Sequence, residues 1–189
     1  PLNNNLLMKA SIKFLFLSAF ISITLLSVAH EYWIAPVKYK VKSKEAFSVN
    51  CYVGEDFKEE VWAKRKERTL QVKVYHENKI NDITPKFIAQ DSVKIPMFLN
   101  KPGNHLIAIS TKPSYIEMEG AAFNDYLKED GMANILSYRE KNNLKEKRSR
   151  EYYQRCAKTL LQVDGKNDAS YKMHTGMELE IIPQSNPYA

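Results

Sequence analysis

FSVNCYV, residues 47–53, sets Phe47, Val49, Cys51 and Val53 on one side of an extended chain and Ser48, Asn50 and Tyr52 on the other. A period of two is what a strand needs when one face is buried and the other is wet. The pattern recurs. In TLQVKVY, residues 69–75, Leu70, Val72 and Val74 oppose Gln71, Lys73 and Tyr75. SVKIPMFL, residues 92–99, is a third strand, and Pro96 confines it to an edge or a bulge because proline has no amide proton for a ladder. NKPGNHLIAIST, residues 100–111, opens with a Pro-Gly turn and continues as an apolar run from Leu106 to Ile109. KTLLQV and MELEII, residues 158–163 and 177–182, are the last two. Short strands divided by turn residues, without regular strand–helix alternation, predict a mainly β chain folded as an antiparallel β-sandwich. Trp33 and Ile34 are expected to anchor its first strand in the core.

One stretch, about 120–156, breaks the pattern and predicts a helical insertion between two late strands. Phe123, Tyr126 and Leu127 share a helical face, and Met132, Ile135 and Leu136 repeat the same spacing. Between them Asp130-Gly131 offers a break, with glycine suited to the left-handed position after a helix. Ser149 is placed to cap a third helical turn carrying Tyr152 and Tyr153. REKNNLKEKRSR, residues 139–150, mixes two glutamates with six basic residues and has no aromatic. It reads as a solvated helix end and loop rather than a nucleic-acid patch.

The N-terminus has its own logic. Lys9 and Lys13 precede an uncharged run from Phe14 to Ala29, with small Ser27 and Ala29 at its end. Basic, apolar and small residues in that order are the layout of a secretory signal peptide. Residues 8–29 are therefore expected to be a cleaved leader, and 1–7, ahead of Met8, an upstream artefact. The expected mature chain, 30–189, suits one domain. Its contact with a membrane would be limited to the leader before cleavage, and its place periplasmic or secreted. Without Lys9 and Lys13, 26 basic residues face 22 acidic ones, spread along the chain, which argues against a nucleic-acid partner. Cys51 and Cys156 are the only cysteines. In an oxidising compartment they could form a disulfide, worth ~4–5 kcal/mol for so long a loop, or remain two separate thiols.

Motifs for catalysis are missing. No GxSxG, glycine-rich phosphate loop or HExxH occurs, and six glycines leave little backbone for a nucleotide cradle. A non-enzymatic role is expected. The histidines carry the one sharp chemical idea. Cleavage after Ala29 would give His30 a free α-amine beside its imidazole, a pair able to chelate copper or nickel in nitrogen-rich geometry. His105 and His174 are the candidate partners, with His76 a third and Glu31 a source of oxygen. The plainer alternative leaves His76 and His105 as exposed residues beside turns.

HEYWIAP (30–36) resembles the opening of an exported family, the domain of unknown function DUF4198. The likeness continues through YVGEDF (52–57), KPGNHLIAIST (101–111), FNDYLKEDGM (123–132), SREYYQRCAKTLLQV (149–163) and MELEIIPQSNPYA (177–189). It implies an immunoglobulin-like β-domain outside the cytoplasm. Some members are labelled nickel-uptake transporter components, which implies a metal ion or an envelope transporter component as partner. Members also run on past the Asn-Pro-Tyr segment into further β structure, so the chain is expected to be a truncated form. The expected function is that of an exported binding protein handling nickel or copper through His30. The alternatives are an envelope module for protein or glycan contacts, in which the eleven tyrosines matter more, and a copper-brace oxidase.

Overall fold

The computed structural model describes residues 31–54, 58, 60–62, 65–89 and 94–189. Its strands are β1 (Glu31–Pro36), β2 (Lys40–Val41), β3 (Phe47–Gly54), β4 (Glu60–Val61), β5 (Thr69–His76), β6 (Lys79–Asp82), β7 (Ile95–Met97), β8 (Gly103–Thr111), β9 (Ser114–Met118), β10 (Ser149–Tyr153) and β11 (Cys156–Val163). The helices are α1 (Arg65–Arg68), α2 (Thr84–Ala89), α3 (Gly120–Glu129) and α4 (Ala133–Lys141), with a 3-10 turn at Ala169–Lys172. Among the described residues no helix is long and apolar enough to cross a membrane.

Two sheets face one another. In the first, β3 pairs with β1 on one side and with β4 and β7 on the other. The second runs β2-β11-β8-β5-β6. Every ladder is antiparallel except β2 with β11. Between the sheets lie Ile34, Phe47, Val49 and Cys51 from the first and Val72, Val74, Ile107, Ile109, Leu161 and Val163 from the second. The inward half of the FSVNCYV period thus holds, although Asn50 on the opposite face is buried too, and the molecule is a β-sandwich. β7 is the edge strand that Pro96 requires: among the described residues it pairs with β3 alone, through Ile95 and Met97, while Pro96 is exposed.

Four expectations need correction. Trp33 is not in the core with Ile34, because neighbours on a strand point to opposite faces. Ile34 goes inward, and Trp33 stacks on Tyr52 at 5.7 Å between ring centres. Leu70 does not join Val72 and Val74. A bulge between Thr69 and Gln71 shifts the register and leaves Leu70 half exposed. Tyr75 is buried rather than wet, since Met173 and Met177 of the C-terminal segment cover it together with Leu106 and Ala108. MELEII forms no strand: it crosses that outer face without pairing, and Leu179 and Ile181 point to solvent.

The insertion lies between β8 and β11, as predicted, but only its centre is helical. Gly131, at φ 69°, closes α3, with Gly131 N–H donating to Lys128 O and Met132 N–H to Leu127 O. Residues 149–153 are strand β10, paired with β9 from Ser149↔Met118 to Tyr153↔Ser114, so Ser149 caps nothing. SREYY alternates, and a waiting partner strand decides in favour of that period. The charged stretch 139–150 is largely solvated, with one exception. Arg139 is buried, donating to the carbonyls of Leu144 and Lys147 and to Asn124 Oδ1, and its guanidinium lies over Phe123.

Candidate functional site

β8 is the central strand, buried along its whole length, and chemistry collects at its two ends. Both neighbours, β5 and β11, run antiparallel to it. Their first residues therefore fall at its C-terminal end, Thr69 beside Thr111 and Cys156 beside Ser110. The residue before β5 is Arg68 and the residue before β11 is Arg155. The ladder ends confirm the placement: Thr111 N–H donates to Arg155 O (2.9 Å) and Lys112 N–H to Arg68 O (2.6 Å). Topology alone thus brings two distant arginines to one edge.

They line a cleft of about 750 Å³ together with Val53, Val61, Trp62, Glu67, Thr111, Ser114, Tyr115 and Tyr153. One wall is the end of the first sheet (β3, β4 and Trp62), another the end of the second, and the third is the β9–β10 ribbon. Trp62 is held edge-on against Tyr32, with ring centres 5.0 Å apart. Arg155 lies 4.8 Å over the Tyr153 ring and donates to its hydroxyl at 3.3 Å. Arg68 donates to Pro113 O at 2.9 Å and to Ser114 Oγ. Burial works to raise the Tyr153 phenol, but hydrogen bonds with Ser114 and Arg155 and the charges of Arg155 and Arg68 hold it below its ordinary value. The charged side chains among the described lining residues are Arg68, Arg155 and Glu67.

At the other end of β8 the picture is reversed. His76 and His105 stack face to face, 4.0 Å between ring centres and 8° from parallel, and both are buried. They are core residues, against the expectation of exposed imidazoles beside turns. A carbonyl only accepts, so His76 Nδ1–H is the donor to Asn104 O at 3.1 Å. His105 carries its proton on Nε2, donated to Lys101 O at 2.9 Å. Burial, partly offset by that carbonyl, lowers the His105 pKa and keeps the ring neutral. Asp168 closes the end: its carboxylate accepts from Asn104 N–H (2.8 Å) and Ser170 N–H (2.7 Å), while Asn104 Oδ1 accepts from Asp168 N–H (2.9 Å).

This arrangement does not fit a metal centre. Imidazole lone pairs lie in the ring plane, so parallel stacked rings cannot aim two nitrogens at one ion ~2 Å away. Among the described residues no group of three or more His, Cys, Asp or Glu side chains could hold a metal ion. His105 meets His76, not His174. His174 is exposed, its ring nitrogen 3.9 Å from Glu180. His30 lies outside the described residues. Cys51 and Cys156 come from facing sheets. Each is a thiol in this structure. The arginines of the cleft went unnoticed in the sequence. The signal that could have found them is a basic residue directly before each of two strands that flank the same central strand.

A family model, the domain of unknown function DUF4198, matches residues 27–189. The chain belongs to this family. No curated protein and no solved structure matches it. The match spans both sheets and the insertion, so the cleft of this DUF4198 member is built entirely from family sequence.

Proposed function

We propose that this DUF4198 protein is an exported, non-enzymatic binding protein whose ligand seat is the cleft at the Thr111 end of β8. One observation carries the reading: a concavity of about 750 Å³ in which apolar, aromatic and charged side chains converge from three walls. Small-molecule sites commonly enclose ~300–1,000 Å³ with that mixture. Two hydroxyls at its rim are engaged by arginine or backbone: Ser114 by Arg68, and Thr111 Oγ1 by Arg155 N–H at 2.9 Å, while the Tyr115 hydroxyl donates to Glu117 at 2.7 Å. Such hydroxyls orient a ligand, whereas a nucleophile needs a base beside it. Export rests on the basic, apolar and small order of residues 8–29. The test is a thermal-shift screen of metabolite-sized ligands against the protein and a Val61→Trp variant that fills the cleft. The reading expects at least one ligand class to raise the melting temperature of the parent and leave the variant unmoved. Equal shifts in both would place the ligand elsewhere.

A second reading, transition-metal handling through His30, draws on one feature. In the sequence His30 directly follows the small residues of the expected cleavage site and directly precedes Glu31, the first residue of β1. Its nitrogen donors would be the freed α-amine and the imidazole, without His105. Copper(II) titration of protein beginning at His30, compared with protein extended by one residue, tests it. Tighter binding in the former supports it, and equal binding removes it.

A further inference from the structure

We infer that the cleft selects a small organic acid, its carboxylate held between Arg68 and Arg155 and its apolar or aromatic body against Trp62 and Val61. The inference rests on the cleft being a binding seat and adds the ligand's chemistry. Among the described lining residues two guanidiniums face one carboxylate, that of Glu67, which is exposed. Among the described residues neither arginine lies in an ion pair with a carboxylate. Each spends part of its donor set within the wall, Arg68 on Pro113 O and Ser114 Oγ, Arg155 on Tyr153 Oη. Those contacts fix the planes of the two forks. A guanidinium carries five N–H donors, so donors remain on both for an anion. Orientation settled before binding lowers the entropy cost of the bound state.

The rest of the lining sets the size and character of the ligand. A bare inorganic anion would fill little of 750 Å³ and leave Trp62, Val53, Val61 and Tyr115 without contact. A purely apolar ligand would strip water from two guanidiniums and give nothing back. An acid with an apolar body satisfies both halves, and arginine grips a planar carboxylate bidentately. Tyr153 is a positioning residue: its ring and hydroxyl hold the Arg155 guanidinium in place.

The probes are benzoate and phenylacetate, with benzyl alcohol as the neutral analogue and sulfate as the inorganic anion. Binding is read by calorimetry on the whole chain and on Arg68→Gln and Arg155→Gln, each first checked for an unchanged melting temperature. Arg155→Lys serves as a second variant should a glutamine fail to fold. The expected result is carboxylate binding at least tenfold tighter than benzyl alcohol or sulfate, a tenfold or greater loss in each glutamine variant, and partial rescue by lysine. Benzyl alcohol binding as tightly as benzoate, with the variants unaffected, overturns the acid while leaving the cleft as a seat. Sulfate matching the carboxylates overturns the organic part. If none of the probes binds, the acid falls, and the Val61→Trp comparison decides separately whether the seat itself survives.

Discussion

The two ends of β8 are built from the same strands and put to opposite uses. At the Gly103 end, polar side chains are packed against one another: two buried, stacked imidazoles, Asn104 and Asp168 bonded reciprocally, and Asn186 of the C-terminal segment donating to Asn104 Oδ1 at 2.7 Å. At the Thr111 end, roughly 26 Å away by strand rise, the charged groups stand around open space. The contrast overturns the weighting that the residue types alone suggest. Histidines, the more reactive residues, are consumed by packing. Arginines, unremarkable in a basic chain, are the ones left facing a cavity.

The comparison breaks most visibly at Gly103. Its φ is 120°, and a Cβ there would sit 2.0 Å from Asp168 Oδ2 and 3.0 Å from His76 Cε1. Gly103→Ala combines left-handed strain with a clash and is expected to cost ~3 kcal/mol or more, lowering the melting temperature by ~6–12 °C in calorimetry. Asp168→Ala comes next. It removes the acceptor shared by Asn104 and Ser170, for an expected loss of ~2 kcal/mol in urea unfolding. Neither change is expected to alter ligand binding in the folded fraction, because both lie at the closed end.

Acid sharpens the contrast further. Because burial lowers His105, the unfolded chain, titrating near 6.5, takes up a proton more readily than the folded one. Stability from this group is complete above pH 6.5 and declines as the pH falls below it toward the lower folded value. His105→Gln flattens that step. A second loss follows from Glu180. Burial works to raise it, but Lys158 at 2.6 Å and the Thr175 hydrogen bonds outweigh burial and hold it at about 2, against an ordinary 4.5. Its contribution is present above pH 4.5 and disappears between 4.5 and 2. Unfolding midpoints at pH 8, 5.5 and 3 resolve the two steps. The smallest effect is expected at the open end: Arg155→Gln should change stability by no more than ~0.5 kcal/mol, since its side chain faces the cleft rather than the core.

Most of the sandwich was legible because a buried face imposes its period on the sequence. Phe47, Val49 and Cys51 show it cleanly, and Pro96 marks its edge. Errors arose where something beyond the strand intervened. A bulge turned Leu70 outward, a covering segment buried Tyr75, and a partner strand converted residues 149–153 from helix to β10. MELEII has strand composition but no partner to pair with. The functional end was illegible for a related reason. Arg68 and Arg155 carry no spacing signal of their own and meet only because β5 and β11 both run against β8. Histidine burial was equally hidden, since the stack depends on Gly103 letting His76 and Asp168 approach the backbone.

The most direct test of the asymmetry is a proton–nitrogen NMR titration of the protein with benzoate. The backbone amides of Thr111, Ser114, Tyr115, Tyr153 and Arg155 should shift together and saturably, while those of His76, Asn104 and His105 stay fixed. Shifts confined to the histidine end, with the arginine end silent, would contradict the assignment of the open end as the seat of binding.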